Sequence, residues 1–411
     1  MSKFRPNNSR PDPSYRTMGI QSAIGYSTNL DEPYEAGVEI GAMVLRELHL
    51  KTSSIGILFA NIDFHFEKLL KGIHEKLDIP LIGCTTASEA NNEGYFEESA
   101  SLMVVTSDDL KIGLGIGQDV SKDHEKAVCS AYEAARAMLN DAEPKLAITF
   151  PDSALTGSAD RILNILVNQI GKEVPIAGGI PGDNFKFSQT YQFYGNSVYT
   201  DSVPLLLLGG NIHPTVVTRS GWIPVGQKAV ATKVSGNIIL EIDNQPAIEY
   251  LKKYIPDLDD PVVMGSFPLA ILDDALGSDK VKYCVIRSPF FYNKENGSVV
   301  YLGDIPQDAT IQIARGSRED ILDGMREAIA MLKERAKDRA FNCLLLFSCA
   351  ARKLMLGLDT EKEIEIALNE LPDHVSVNGF YTYGEIGPID SSIERLKQTK
   401  FHNTSVVLCA L

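Results

Sequence analysis

The sequence predicts an α/β fold with mixed sheets, built from repeated strand–helix–strand–loop–strand units in two linked domains. Three observations carry this. A single unit occurs three times. The first strand of each copy is an unbroken apolar run, SIGILFA near residue 55, KLAITFP from Lys145 and NCLLLFSCA from Asn342, as expected for a strand covered on both faces. A helix-sized stretch then separates this strand from the next, which favours parallel pairing through a right-handed crossover. The last strand of each copy returns after a loop and is expected to be antiparallel.

Residues 1–20, opening MSKFRPNNSRPDPSYR, are polar and proline-rich and lack the apolar centre of a signal peptide. They read as a flexible tail. In the first copy, SIGILFA is followed by the helical FEKLLKGIHEKLD, the loop-bearing PLIGCTTASE and the strand SLMVVTS. The second copy runs through DRILNILVNQIG, with Ile162, Ile165 and Leu166 at helical spacing, then PIAGGIPGDN and PLLLLGG. The third runs through EKEIEIALNELP, where Ile364, Ile366 and Leu368 show a less regular stripe, then SVNGFYTYGE and TSVVLCAL. GLGIG at residues 113–117 resembles a phosphate loop, but it has strand periodicity and no GK[ST] follows.

Loops one and three align without a gap. IGCTTASE (82–89) matches NGFYTYGE (378–385), pairing Gly83 with Gly379, Thr86 with Thr382 and Glu89 with Glu385. The middle loop, AGGIPGD, reads as one residue shorter and ends on Asp183. Between copies two and three, Gly236-Asn237 marks a hairpin turn in TKVSGNIILEIDNQPA. VKYCVIRSPFFY, SVVYLGDIP and ATIQIARG read as antiparallel strands, and Ser317 to Asp320 as a capping box before a helix. A boundary at SGWIPVG divides the chain into domains 21–221 and 222–411.

A formal charge of −15 leaves no basic stripe for phosphates and disfavours docking on an anionic membrane. No apolar run of about 18 residues suggests a membrane span. Cys84, Cys129, Cys284, Cys343, Cys349 and Cys409 form no CxxC pair, which fits a reduced cytoplasm. No histidine pair has metal-ligand spacing.

The candidate ligand-binding set comes from the loops and from arginines at strand ends. Gly178 and Gly179 could offer backbone N–H groups to a carboxylate, and Glu89, Asp183 and Glu385 could take a ligand's amino group. The alternative for each acid is a turn cap or an ion pair. Cys84, with Thr85 and Thr86 beside it, is either a pocket wall, a core residue or a thiol nucleophile lacking a local base. Arg287, Arg315 and Arg352 suit planar carboxylate recognition or an internal salt bridge to a loop acid. Tyr381 and Tyr383 share one face of an extended segment and could line one wall.

These pieces together resemble the FIST proteins, with both FIST N and FIST C regions. The matching stretches are IGCTTASE, IAGGIPGDN, SGWIPVG, GNIILEIDNQPA, CAARKLMLG around Arg352, GFYTYGEIGP and FHNTSVVLCAL. The resemblance runs from about Gly25 to the C-terminus. It departs from the family at Ser88, where the first loop usually has glycine, and at Pro181, where alanine is common.

The resemblance implies a sensory input module, often fused to histidine kinases, diguanylate cyclases or chemotaxis receptors and binding small ligands such as amino acids. No output module is recognised in the 411 residues. Signalling is therefore expected to pass to a separate kinase or cyclase. One stand-alone subgroup binds haem and senses nitric oxide, which makes His213 and His402 the first axial ligands to test. The competing readings are a hydrolase using Cys84 or the loop carboxylates, and a kinase scaffold with closed loops.

Overall fold

The computed structural model describes residues 19–153, 159–272, 285–337, 339–389 and 398–411. The repeat is longer than the sequence suggested. Its first copy is β1 (Gln21–Ser27), α1 (Pro33–Glu47), β2 (Ser53–Asn61), α2 (Phe66–Lys76), β3 (Leu81–Thr86), the hairpin β4 (Glu89–Asn91) and β5 (Gly94–Phe96), then β6 (Ala100–Ser107). The second is β7 (Leu110–Gln118), α3 (His124–Leu139), β8 (Pro144–Thr149), α4 (Ala159–Ile170), β9 (Ile176–Gly179), the hairpin β10 (Gln192–Tyr194) and β11 (Ser197–Tyr199), then β12 (Ser202–Gly210).

The third unit opens with β13 (Thr215–Arg219) and is then interrupted. The interruption holds β14 (Ile223–Val230), β15 (Lys233–Ser235), β16 (Ile238–Ile242), β17 (Gln245–Pro246), α5 (Ala247–Leu251) and α6 (Pro261–Gly265). It continues through β18 (Leu269–Leu272), β19 (Val285–Arg287), β20 (Pro289–Tyr292), β21 (Val299–Tyr301) and β22 (Thr310–Arg315). The unit resumes at α7 (Arg318–Ala336), β23 (Cys343–Cys349), an extra helix α8 (Ala350–Leu356), α9 (Thr360–Glu370) and β24 (Ser376–Thr382). The hairpin β25 (Glu385–Pro388) and β26 (Thr399–His402) and the strand β27 (Val406–Ala410) complete it. The expected division at residue 222 falls where the chain leaves β13 for these inserted sheets.

Strand pairing follows the expected chemistry. The crossover pairs β2–β3, β8–β9 and β23–β24 are parallel. The returning strands β6, β12 and β27 run antiparallel between the first and second strands of their units. Each six-stranded sheet is then finished by a hairpin from another unit. β10–β11 extends β3, β25–β26 extends β9, and β4–β5 extends β24. The exchange closes the three units into a ring. Inside it, Phe59 of β2, Phe150 just past β8 and Phe347 of β23 meet with ring centroids 5.4, 6.2 and 6.0 Å apart. The inserted residues form a four-stranded and a five-stranded antiparallel sheet with a separate core around Ile239, Leu269, Tyr301 and Ile311.

The sequence did not show that a strand and helix lead each unit of the repeat, and GLGIG shows why. Its alternate glycines are a packing surface. A Cβ on Gly113, Gly115 or Gly117 would stand 2.1, 1.9 or 1.8 Å from the carbonyl oxygens of Ala135, Ala131 or Ala127. Helix α3 thus lies directly on β7, with glycine on one side and alanine on the other. Gly115→Val is expected to cost at least about 1–3 kcal/mol through overpacking, read as a lower urea midpoint. An unchanged midpoint would contradict the close approach.

The helix α7 carries the expected capping box, with Ser317 and Asp320 each bonding the other's backbone N–H. Among the described residues, no helix is long and apolar enough to cross a membrane.

Candidate functional site

The loop glycines prove to be strand residues. Gly83, Gly178 and Gly379 lie opposite Leu58, Thr149 and Leu346, whose carbonyl oxygens would be only 1.8, 2.0 and 2.3 Å from an added Cβ. One residue on, Cys84, Gly179 and Phe380 face the first residues of the exchanged hairpins, Gln192, Glu385 and Glu89.

That register changes one sequence correspondence. The counterpart of Glu89 and Glu385 is Gln192, and Asp183 belongs to a longer connection, 180–191, where the other units have only 87–88 and 383–384. Each hairpin residue grips a serine at or beside the start of the last strand. Ser99 donates from N and Oγ to Glu89 Oε2 at 3.0 and 2.8 Å, and Ser405 does the same to Glu385 Oε2 at 3.0 and 2.7 Å. Ser202 Oγ donates to Gln192 Oε1 at 2.9 Å.

Glu89 and Glu385 are fully buried, and burial pushes each carboxyl up to about 8, against hydrogen bonds that would lower it. Neither has open space for a ligand's amino group. Cys84 is likewise fully buried, in the core around the three phenylalanines. Burial, and secondarily Glu89, hold its thiol well above the usual range. Solvent and substrate do not reach it, which removes it as a hydrolytic nucleophile. Thr85 accepts from Tyr191 N–H at 3.0 Å, and Thr86 is bonded to Glu89.

The two buried arginines brace elements together. Arg352 Nε and Nη2 bond Glu363 Oε1 at 2.8 and 2.5 Å, and its remaining donors reach the carbonyls of Ile321 (2.8 Å) and Ser220 (3.2 Å). Tyr381 Oη and Ser348 Oγ donate to the other Glu363 oxygen at 2.7 and 2.9 Å. The arginine's partner is therefore a helix acid, and the loop acids are bound elsewhere. Arg287 bonds Asp160 Oδ1 at 2.9 Å and the carbonyls of Asp304 and Phe401 at 3.0 and 2.9 Å, tying the inserted sheets to the second and third units.

Tyr383 differs from Tyr381. Its hydroxyl donates to Asp183 Oδ1 and accepts from Phe185 N–H, both at 2.6 Å. Asp183 also accepts from the N–H groups of Phe187, Ser188 and Gln189 at 2.9, 2.7 and 3.1 Å. Burial would raise its carboxyl, but Tyr383 and these N–H groups hold it below the usual range.

The segment so anchored walls a cleft of about 470 Å³, lined by residues 62–67 at the entrance to α2 and by Ser188, Gln189, Tyr191 and Val198. Tyr191 packs on Phe66 at 5.2 Å. Lys186 crosses to Asp63 at 2.6 Å. His65 lines the cleft, whereas His213 is exposed between β12 and β13, and His402 is buried with Nε2 3.0 Å from Gly387 O. Neither His213 nor His402 lines this cleft. The sequence carried no spacing signal for this cleft, because its walls are far apart in the chain and meet only through hairpin exchange. Gln192 did leave a trace, since it precedes Ser202 by the same interval as Glu89 precedes Ser99.

Comparison with known families places these elements. Residues 54–245 match the FIST N domain and residues 247–388 match the FIST C domain. The chain belongs to the FIST family. In this FIST protein the cleft and Asp183 lie within the FIST N match, while Arg352, Tyr381, Tyr383 and Glu385 lie within the FIST C match.

The Asp183–Tyr383 bond therefore joins the two regions, and the junction between the two matches falls inside the five-stranded inserted sheet. FIST domains are associated with small-ligand sensing in signal transduction. An uncharacterized protein of Mycobacterium bovis is 24% identical over 386 residues, 90% of this chain and 95% of its own length. One from Methanocaldococcus jannaschii is 23% identical over 239 residues, 55% of this chain, and the match spans 46% of that protein. A solved cyanuric acid hydrolase from A. caulinodans aligns over 95% of this chain and 99% of its own at 7% identity and a TM-score of 0.34, a likeness at which no activity transfers.

Proposed function

We propose that this FIST protein is a sensor that binds a small ligand in the cleft between the start of α2 and residues 188–191, and signals through a separate histidine kinase or diguanylate cyclase. The observation that carries the reading is the cleft itself. Its volume of about 470 Å³ falls in the ordinary range for small-molecule sites, about 300–1,000 Å³. Its walls come from two different units, so a bound molecule would bridge them and favour one arrangement over another.

Amino acids are the first class to test. The N–H groups opening α2 suit a carboxylate, and Asp63 and Glu67 on the lining suit an ammonium group.

The test is a thermal-shift and calorimetric screen of the purified chain against free amino acids, with haem as a separate arm. A ligand at 100 times its Kd should add about 2.7 kcal/mol of stability, and Tyr191→Ala should abolish the gain. No shift with any member of the panel would sink the proposal. A Soret band that survives replacement of His65, His213 and His402 would also count against histidine-ligated haem at these positions.

A further inference from the structure

We propose that the segment Asp183–Thr190 is a relay that couples the cleft to the inserted sheets, with Tyr383 as its positioning residue. The inference rests on the cleft being the ligand site.

The segment makes two sets of contacts that do different things. On one side, Ser188 and Gln189 line the cleft, and Lys186 reaches across its rim to Asp63 at 2.6 Å. That ion pair is about half exposed on both sides, a weak latch of the kind a charged ligand can displace. On the other side, Phe187 stacks on Tyr383 with ring centroids 4.7 Å apart and planes 16° from parallel. The same ring touches Phe290 of β20 at 6.0 Å. Phe187 and Phe290 are 40% and 50% exposed, so their contact is free to part without opening the core.

The backbone that carries these contacts is strained. Asn184, Phe185 and Phe187 have φ of 53°, 61° and 47°, a region that disfavours side-chain-bearing residues. Phe185 and Phe187 could not hold this shape by intrinsic preference. It is held by the Asp183 carboxylate, which collects three N–H groups, and by the Tyr383 hydroxyl, which bonds both Asp183 and Phe185 N–H. A segment whose shape depends on a few outside bonds has a second, relaxed arrangement within reach. A ligand that touches Ser188 and Gln189 differently in the two arrangements shifts their populations, and Phe187 carries that shift to Phe290.

Hydrogen exchange read by mass spectrometry on the full chain tests this without a ligand. Tyr383→Phe keeps the ring and removes the hydroxyl. Exchange at residues 184–191 is expected to rise at least about tenfold, and exchange at Phe290–Tyr292 to rise with it, while the circular dichroism spectrum is unchanged. Phe187→Ala should raise exchange at Phe290–Tyr292 directly. A Tyr383→Phe protein that loosens 184–191 but leaves 290–292 at the wild-type rate would overturn the relay, and so would one in which neither segment changes. The cleft is read separately in the amino-acid screen. If no amino acid shifts the melting temperature but Tyr383→Phe loosens both segments, the reading of the cleft as the amino-acid site fails, while the mechanical coupling of residues 184–191 to Phe290–Tyr292 stands.

Discussion

Replacing Glu89 and Glu385 together with glutamine is expected to remove most of the loss of stability that the wild-type chain shows between pH 6.5 and pH 8. Both carboxyls are fully buried, and burial lifts each from the ordinary 4.5 to about 8. A group that holds its proton more tightly when folded stabilises the fold at low pH. That stabilisation is lost as pH rises from the unfolded value through the folded one. Each carboxyl should therefore weaken folding by roughly tenfold per pH unit across this interval.

His402 acts in the opposite sense. Burial lowers it from 6.5 to about 4, so its contribution is present above 6.5 and fades as pH falls towards 4. The window above pH 6.5 is therefore the cleanest.

The second unit places an uncharged side chain at this position. Gln192 occupies the same place in the second unit, with Oε1 accepting from Ser202 and Nε2 donating to Thr190 Oγ1 at 3.4 Å. Glu89 accepts from Ser99 with one oxygen and from Thr86 with the other, and burial outweighs these bonds. Around Glu89 stand Lys353, whose ammonium is itself lowered by burial, and the Cys84 thiol. Around Glu385 stand Arg352 and the Cys349 thiol. These neighbours do not keep the acids ionised. Urea denaturation of both proteins at half-unit pH steps checks the expectation. A wild-type stability that is flat, or that rises from pH 6.5 to 8, would refute the neutral pair.

What the sequence disclosed follows the physics of burial. The strands β2, β8 and β23 are covered on both faces and announced themselves as apolar runs, and α2, α4 and α9 as amphipathic stretches beside them. α3, and the place of the GLGIG strand in the repeat, escaped because a glycine–alanine contact has little hydrophobic contrast. The hairpin exchange escaped because nothing local encodes which sheet a hairpin joins. Gly83 of IGCTTASE and Gly379 of GFYTYGE were visible, but as strand residues pressed against a neighbour's carbonyl they build no turn for a ligand. Asp183 was chosen from the end of a glycine-led loop and not from register. Its place as a clasp for the cleft wall depends on Tyr383, 200 positions further along.

The largest single loss of stability is expected from Arg352→Ala. Arg352 and Glu363 are both 0% exposed. Taking one member from such a pair leaves the other charge buried without its partner, which typically costs about 3–5 kcal/mol. The position makes the loss more serious. The inserted sheets separate β13 from α7, and the Arg352 guanidinium bonds Ser220 O where the chain departs and Ile321 O where it has returned. Through Glu363 it also reaches Ser348 of β23 and Tyr381 of β24.

The arginine is thus a cross-brace that lets the third unit close around its own interruption, and Arg352→Ala should unfold that unit first. Arg352→Met with Glu363→Met removes both charges and keeps much of the volume, so it should recover part of the loss. Calorimetry of the three proteins decides the matter. If Arg352→Ala melts within a degree of wild type, the brace carries no weight. If the double variant is no better than the single one, the cost lies in lost hydrogen bonds to the two carbonyls and not in the stranded charge.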